Sequence, residues 1–413
     1  MRETFSTRFL LLLIGAAFLI RMIAVAELRD LHKFHGLQAG ADAVEFNALG
    51  LNMAKGEGYA LVPGRPTSFR APGFPIFLAA IYSVSYENYF LVYLMQALVG
   101  ALTCGITYLL ARELLPERAA RASGILAAVY FPSIYNGTLL LSEPLFSACL
   151  ALGVLLFIRH LRIGGLLQII AAGLALGAGT LVRPFALLML PALAALLAVW
   201  MWRNQRVRIL PLIVFSVAFL ALVLPWTARN YAVHGKLVLL TTNGGSTFYG
   251  GNNDRVLHER RYWGGWISTV ELPGREAIEA APDEVSHDKV EWRLGIQWVR
   301  QHLLEIPVVA VFKLARYWLP EVSSANRKYV LLNIVGYVPF LVLFVLAAVR
   351  CMRGRECWTA PWFVLHLTMA TGLITALVFW GSPRFRDANA PVLMVYAGIM
   401  WNKAANVAGK RLV

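Results

Sequence analysis

Long apolar runs dominate this chain and restrict the folds that it can adopt. A helix needs about 20 predominantly apolar residues to cross a bilayer, and 58% of the 413 residues are hydrophobic whereas 15% are charged. We therefore predict an all-α polytopic membrane protein with about ten to twelve transmembrane helices. The predicted spans are residues 9–27, 89–111, 122–136, 139–158, 166–181, 184–202, 209–227, 328–349, 359–380 and 388–402, and segments 73–84 and 305–319 are short spans, re-entrant pieces or surface helices.

Arginine and lysine residues indicate which connections face the cytoplasm, because short cytoplasmic loops carry an excess of them. Two long loops, 28–72 and 228–305, are then predicted to lie outside. No low-complexity tract interrupts the pattern, so residues 1–413 are expected to form one transmembrane domain with these two outer loops. The basic cytoplasmic connections are predicted at 112–121, 159–162, 203–208 and 350–355, and in the tail at Lys403, Lys410 and Arg411.

The net charge of +15 has a second cause besides topology. Several arginines fall near predicted outer ends of spans, where an anionic headgroup or a lipid phosphate would sit. Nucleic acid is not indicated as a partner, because the basic residues are spread among the spans and do not form one soluble face. These arginines are Arg70, Arg183, Arg229, Arg384 and Arg386.

The first outer loop begins with an amphipathic helix pattern whose two acidic residues permit two interpretations. In a capping box, Asp42 accepts a hydrogen bond from a first-turn N–H and Glu45 folds back on the cap. In a catalytic interpretation, Asp42 is a general base that takes a proton from an acceptor hydroxyl or amine. The two roles are compatible, and the sequence leaves both open.

Three positions near other span ends are equally open. Glu143 either binds a sugar hydroxyl or an arginine, or is a first-turn carboxylate favoured by the helix dipole beside Pro144. Arg183 either contacts substrate or reaches outward from a turn. Arg384 suits bidentate phosphate binding or anchoring at the membrane surface.

The second outer loop also carries candidates for substrate contact. Arg229 and Asn230 follow a span, where a phosphate or sugar contact competes with an interfacial anchor role. Asn243 opens a glycine-rich stretch whose amides can bind sugar hydroxyls, although such residues also make turns. The cysteines predict no disulfide, because Cys351 and Cys357 lie in a predicted cytoplasmic turn. The histidines show no metal-binding spacing.

Several short motifs, taken in order, resemble bacterial GT-C glycosyltransferases of the family 39 type, which are relatives of protein O-mannosyltransferases and of the lipid A aminoarabinose transferase. Each motif is weak alone, but their common order is specific for the family and covers most of the chain. The motifs are Asp42-Ala-Val-Glu-Phe-Asn-Ala-Leu49, Gly56-Glu-Gly-Tyr59, Phe69-Arg-Ala-Pro-Gly-Phe-Pro75, Leu141-Ser-Glu-Pro-Leu-Phe146, Leu181-Val-Arg-Pro184, Pro225-Trp-Thr-Ala-Arg-Asn-Tyr231, Thr242-Asn-Gly-Gly245, Tyr249-Gly-Gly-Asn-Asn253 and Arg384-Phe-Arg386.

The resemblance implies a GT-C architecture with juxtamembrane helices at the outer face. It also implies transfer of one sugar, with inversion, from a polyprenyl-phosphate donor to a lipid, glycan or protein acceptor. Asp42 matches the acidic residue of the first loop that is regarded as the base. The expected phosphate-binding residues are Arg70, Arg183, Arg229 and Arg384, and the expected sugar or acceptor contacts are Glu45, Glu143, Tyr59, Asn230 and Asn243.

Two departures from the family pattern leave the substrate contacts open. Many relatives have Pro-Pro where this chain has Ala71-Pro72, and a tyrosine where it has Phe46 and Phe74. No cofactor is certain, although Asp42, Glu45 and Glu143 are potential oxygen ligands for Mg or Mn.

A different class of protein also fits a multispan chain, namely a transporter or flippase for a lipid-linked glycan. Transporters place ionisable or helix-breaking features near the bilayer midplane, often in paired halves, whereas the charges here gather near one face. The resemblance further predicts a bacterial inner membrane, with the active site facing the periplasm or the cell exterior.

Overall fold

The computed structural model describes residues 6–28, 41–204, 209–321, 327–354 and 357–402, which are mostly helical. Its first half contains α1 (Thr7–Leu28), α2 (Ala41–Ala54), an antiparallel hairpin of β1 (Ala60–Val62) and β2 (Arg65–Pro66), α3 (Gly73–Val84), α4 (Tyr89–Leu114), α5 (Glu117–Val129), α6 (Phe131–Asn136), α7 (Glu143–Ile163), α8 (Leu166–Val182) and α9 (Met189–Arg203).

The second half begins with a long helix, continues through short helices of the outer loop, and returns to long helices. Its elements are α10 (Leu210–His234), α11 (Gly244–Gly250), α12 (Asp254–His258), α13 (Arg275–Glu279), α14 (Glu284–Gln301), α15 (Ile306–Trp318), α16 (Arg327–Arg353), α17 (Ala360–Val378), α18 (Pro383–Asp387) and α19 (Ala390–Gly398). Single 3-10 turns occupy Pro184–Leu188, Thr269–Glu271 and Ile399–Trp401.

Seven helical segments in the described residues are long and apolar enough to span a bilayer, which confirms the all-α polytopic class. They are α1, α4, α7, α10, α16, α17 and the segment Pro184–Arg203 that contains α9. Three shorter apolar helices accompany them, at α3, α8 and Ala390–Trp401. The protein is therefore a multi-pass membrane protein.

One predicted span is wrong. Residues 122–136 do not form one helix, because the chain turns at Tyr130 between α5 and α6. Pro132 explains the break, since proline has no N–H to donate and its ring opposes a continuous helix. The next predicted span, 139–158, begins later, at Glu143, where Pro144 occupies the first turn.

Glycines allow α8 and α10 to approach each other closely in the bundle. An added Cβ at Gly177 would lie 2.5 Å from the carbonyl oxygen of Phe219, and one at Gly173 would lie 2.7 Å from that of Phe215. Backbone atoms on the facing helix cannot move aside as a flexible side chain can. Small residues at such contacts are a common means of packing membrane helices.

The basic connections gather at the end of the bundle opposite the start of α7. There Glu113 pairs with Arg159 and Arg162. Arg350 donates to the carbonyl oxygen of Asn402 over 2.6 Å. Predicted basic residues 205–208 and the tail Lys403, Lys410 and Arg411 lie outside the described residues.

The expectation of no disulfide is wrong for one pair of cysteines. Cys351 and Cys357 are bonded, with their Cα atoms 5.5 Å apart. Cys351 lies in the last turn of α16 and Cys357 follows shortly after the helix, so the helix end brings the two together. Sequence spacing alone does not define this turn.

The close contact between α8 and α10 predicts a measurable cost of adding one methyl group. Gly177→Ala should destabilise the protein by about 1–3 kcal/mol, because the new Cβ overpacks against backbone. Gly15→Ala is the matched control, since a Cβ on this α1 glycine meets nothing within 4 Å. Thermal unfolding in detergent measures both, and equal melting temperatures for the two variants would contradict the proposed packing.

Candidate active site

Six charged side chains form one continuous series of ion pairs. They alternate in sign in the order Glu45, Arg70, Asp42, Arg384, Glu143 and Arg183, which we call the ion-pair series. All six were predicted from the sequence as site residues. Helix α2 supplies Asp42 and Glu45, the loop before α3 supplies Arg70, and the ends of other helices supply the remaining three.

The distances define direct contacts along the whole series. The Nε atom of Arg70 is 2.5 Å from Glu45 Oε2, and its Nη2 is 2.7 Å from Asp42 Oδ1. Arg384 then bridges two carboxylates, with Nη1 2.8 Å from Asp42 Oδ2 and Nε bonded to Glu143 Oε1. The same Glu143 oxygen lies 2.6 Å from Arg183 Nη2.

Exposure differs along the series. Glu143 is 2% exposed in its side chain, whereas Asp42 is 27% and Arg384 29% exposed. The Glu143 end is therefore embedded in the bundle, and the Asp42 end is open to a ligand. Arg384, held by the buried Glu143 and reaching the accessible Asp42, is a cation placed where it can stabilise developing negative charge.

The arginines control the protonation of Asp42. Burial raises the pKa of this carboxyl, but Arg384 and Arg70 more than offset that effect and lower the pKa to about 2. Because the folded-state pKa is depressed, the stabilisation from these ion pairs is present above the ordinary carboxyl pKa near about 4. It is lost as the pH falls through about 2. Asp42 is thus ionised at neutral pH.

A close backbone contact places Arg70 near Arg183. Gly73 begins α3 three residues after Arg70, and an added Cβ there would lie 2.9 Å from the carbonyl oxygen of Leu181. Only glycine permits the start of α3 to lie so close to the end of α8. The loop therefore meets α8 just before Arg183.

Arg229 is not a member of the ion-pair series, but it binds residues of the first outer loop, which carries Arg70. Its Nη1 atom donates to the carbonyl oxygen of Thr67 over 2.7 Å and to Ser68 Oγ over 3.1 Å. Its Nη2 donates to the carbonyl oxygen of Tyr59 over 3.2 Å. The guanidinium also stacks over the rings of Tyr59 and Trp226. The structure thus places the predicted phosphate contact Arg229 against protein backbone.

Three of the predicted sugar contacts also bind protein groups. The Tyr59 hydroxyl donates to the carbonyl oxygen of Arg70 over 2.8 Å. Asn230 accepts from Ser68 Oγ and donates to the carbonyl oxygens of Val238 and Leu240. Asn243 precedes α11 and accepts from the Thr241 hydroxyl. The contacts of Tyr59 and Asn230 fix the loop that carries Arg70, and none of the three residues joins the ion-pair series.

The sequence reasoning missed Glu284, which joins the two outer loops. Its carboxylate accepts from Thr67 Oγ1 over 2.6 Å and from the N–H of Ser68 over 2.9 Å. The hydroxyl of Thr242 also bonds to it. The only local signal is an acidic residue in the first turn of α14, which capping explains equally well.

A second ion pair, fully buried, fixes the helix that carries Arg384. Arg386 lies 2.9 Å from Asp387, and Tyr130 donates to the same carboxylate over 2.5 Å. The Arg386 guanidinium also lies 3.7 Å from the centre of the Tyr337 ring and donates to the carbonyl oxygen of Tyr317. These contacts hold α18 in place, so the position of Arg384 is preorganised.

The three carboxylates of the series do not fit a divalent cation as they are arranged. Asp42 and Glu45 bind guanidinium groups, and Glu143 binds two of them through one oxygen. Oxygen ligands for Mg or Mn need to converge without competing cations. Within the described ranges, no group of three or more His, Cys, Asp and Glu residues is placed to hold a metal ion.

The Arg384 guanidinium binds the buried Glu143 carboxylate directly, so we expect strong energetic coupling between these two residues. Arg384→Gln should destabilise the protein by about 3 kcal/mol or more, because Glu143 is buried and loses a partner. The double variant with Glu143→Gln should lose less than the sum of the single variants, with coupling of about 0.5–3 kcal/mol. Thermal unfolding of the four proteins measures this cycle.

The exposed pair Arg275 and Glu279 provides the matched control, with side chains 58% and 55% exposed. A cycle on that pair should give a coupling below about 1 kcal/mol. Additive effects at Arg384 and Glu143 would show that the contact does not stabilise the site.

Known proteins resemble this chain in fold, and one family model matches part of its sequence. The sequence model of the dolichyl-phosphate-mannose-protein mannosyltransferase family matches residues 69–228. No curated protein matches the chain.

Among solved structures, the chain is similar to the Archaeoglobus fulgidus oligosaccharyltransferase in complex with zinc and sulfate, with a TM-score of 0.55 and 15% identity over 94% of this chain and 48% of that one. The same enzyme tethered to an acceptor peptide gives a TM-score of 0.51 at 14% identity, over 96% of this chain and 49% of that one. ArnT from Cupriavidus metallidurans bound to undecaprenyl phosphate gives a TM-score of 0.45 at 11% identity, over 95% of this chain and 78% of that one.

The chain spans about half the length of the archaeal oligosaccharyltransferase. At these identities the structural similarity concerns the fold. Together with the family match over residues 69–228, the similarity to the archaeal enzyme confirms the resemblance read from the motifs, and the chain is a multi-pass membrane protein similar in fold to that glycosyltransferase.

Proposed function

We propose that this protein transfers a single sugar from a polyprenyl-phosphate donor to an acceptor at the outer membrane face, with inversion. The observation that carries this proposal is the ion-pair series, in which the partly exposed Asp42 lies between Arg70 and Arg384. The matched family, named for a dolichyl-phosphate-linked sugar donor, supports a lipid-phosphate substrate.

The leaving group explains why arginines suit this reaction. In the donor, a phosphate diester joins the sugar to the lipid, and breaking the sugar–oxygen bond leaves a phosphate monoester with an additional negative charge. Guanidinium groups bind phosphate oxygens bidentately and remain charged. Arg70, Arg183 and Arg384 would therefore stabilise the charge that develops as the bond breaks.

Asp42 is the proposed base. The acceptor hydroxyl or amine attacks the anomeric carbon, the lipid phosphate leaves with the bonding electrons, and the acceptor proton passes to Asp42. A carboxylate with a pKa of about 2 is a weak base while two arginines bind it. Donor phosphate would compete for those arginines, and their movement away from Asp42 would raise its pKa towards the ordinary value.

The other predicted contacts divide into two groups under this proposal. Glu45 and Glu143 lie in the ion-pair series and can hold Arg70 and Arg384 ready for phosphate. Arg229, Tyr59 and Asn230 hold the loop on which Arg70 lies. Direct sugar contact by Tyr59, Asn230 or Asn243 stays a prediction.

The acceptor is proposed to be a lipid, a glycan or a protein of the cell envelope. The proposed location is a bacterial inner membrane with the ion-pair series facing the periplasm or the cell exterior. The basic connections at the opposite end of the bundle support this orientation.

Asp42→Asn should reduce transfer by about a hundred- to ten-thousandfold, because the amide cannot accept the acceptor proton. The measurement uses purified protein and a set of synthetic polyprenyl-phosphate sugars, with thermal unfolding to confirm that the variant is folded. Glu57→Gln is the matched control, since Glu57 is an exposed carboxylate of the same loop.

Full activity of Asp42→Asn would reduce Asp42 to a structural role. If neither protein transferred any sugar but a lipid-linked glycan crossed reconstituted vesicles, the protein would be a flippase and the transferase proposal would fail.

Chelation tests the possible Mg or Mn requirement separately. We expect transfer to continue after treatment with a chelator, because the carboxylates of the ion-pair series bind guanidinium groups. Loss of transfer that is restored by adding Mg or Mn would instead assign a divalent cation to the site.

A further inference from the structure

One side of α14 is basic and mostly exposed in the described ranges, although Trp292 at its edge stacks on Phe248 of α11. Residues on this side recur three or four positions apart, so they share one face of the helix. We call it the α14 basic face, and it consists of Lys289, Trp292, Arg293, Ile296, Gln297, Arg300 and Gln301.

The three cations of this face differ from Arg255 and Arg275 of the same loop, which are paired. Arg255 pairs with Glu259, and Arg275 pairs with Glu279. In the part of the chain that the structure describes, Lys289, Arg293 and Arg300 form no ion pair. Three unpaired cations on one helix face create a positive field that attracts anions.

The α14 basic face lies on the same side of the membrane as the ion-pair series. Glu284, in the first turn of α14, bonds to Thr67 and Ser68 just before Arg70. The excess of positive charge in cytoplasmic loops does not account for cations on this side, because these residues lie at the opposite end of the bundle.

The helix that follows indicates the level of the bilayer. Residues 304, 308, 311 and 319 recur along one side of α15 and its ends, and their apolar side chains are exposed. Leu304 is 91% and Val311 62% exposed. An exposed apolar stripe marks a contact with a membrane or with another protein; in this multi-pass protein we assign it to lipid, and it starts three residues after α14 ends. The C-terminal end of α14 therefore lies near the headgroup region.

We propose that the α14 basic face binds the phosphate headgroups of anionic phospholipids in the outer leaflet. Arg293 and Arg300 supply bidentate donors for phosphate, and Lys289 adds a third charge. Ile296, which is 40% exposed, adds an apolar contact beside these cations. Gln297 and Gln301 can donate hydrogen bonds to a glycerol headgroup. This binding does not depend on the proposed transferase activity.

The test titrates short-chain phosphatidylglycerol against the purified full-length protein in neutral detergent. Hydrogen exchange of α14 locates the bound lipid. The triple variant Lys289→Gln, Arg293→Gln, Arg300→Gln should bind roughly a hundredfold more weakly, because each cation near an anionic lipid surface contributes about fivefold. Phosphatidylcholine of the same chain length should protect α14 little in either protein.

A matched triple variant, Arg260→Gln, Arg261→Gln, Arg275→Gln, removes the same charge from the outer loop outside this face. It should bind phosphatidylglycerol as the native protein does. Equal binding by the native protein and the α14 variant would overturn the proposal, as would an equal loss in the matched variant. If the α14 variant bound lipid normally but raised the KM for a sugar acceptor, the face would be an acceptor site, and the lipid assignment would be wrong.

Discussion

Charges that leave water at a membrane surface must be paired, and the ion-pair series is built on this constraint. Three carboxylates and three guanidinium groups come from five segments of the chain, and each inner member contacts two opposite charges. Removing one partner leaves a buried charge uncompensated, which costs several kcal/mol. The positions of α2, α7, α8 and α18 therefore depend on one another. The pair of Arg386 and Asp387 adds a second, fully buried restraint on α18.

Under the proposed function, the same pairing constrains how a phosphate substrate can bind. The series is neutral, so an incoming phosphate must take arginine contacts from Asp42, Glu45 or Glu143. A diester with one negative charge competes less well for them than a monoester with a larger charge. The site would thus bind the developing leaving group more strongly than the donor, which is the condition for accelerating bond cleavage. The same preference favours tight binding of the lipid-phosphate product, so product release would be slow.

The sequence predicted the residue types of the site better than their contacts. Apolar run length located most spans, and arginines at span ends identified Arg183 and Arg384. Pairing was not predictable, because Asp42 and Arg384 are separated by 342 positions and no local pattern links them. Arg229 was expected to bind phosphate, yet its partners include backbone carbonyls, which have no signal in a sequence. The break at Tyr130 was missed because apolar residues continue on both sides of it.

Under the lipid-binding proposal, helix α14 connects the membrane surface to the site. Its first turn carries Glu284, which bonds to Thr67 and Ser68, and Arg70 follows two residues later. Its C-terminal half carries the cations of the α14 basic face. A helix of 18 residues is stiff over its length of about 27 Å. Under the lipid-binding proposal, headgroup contacts at one end would therefore set the depth of the first outer loop at the other. Arg70 would then lie at a defined level relative to the lipid phosphates, as a donor anchored in the bilayer requires.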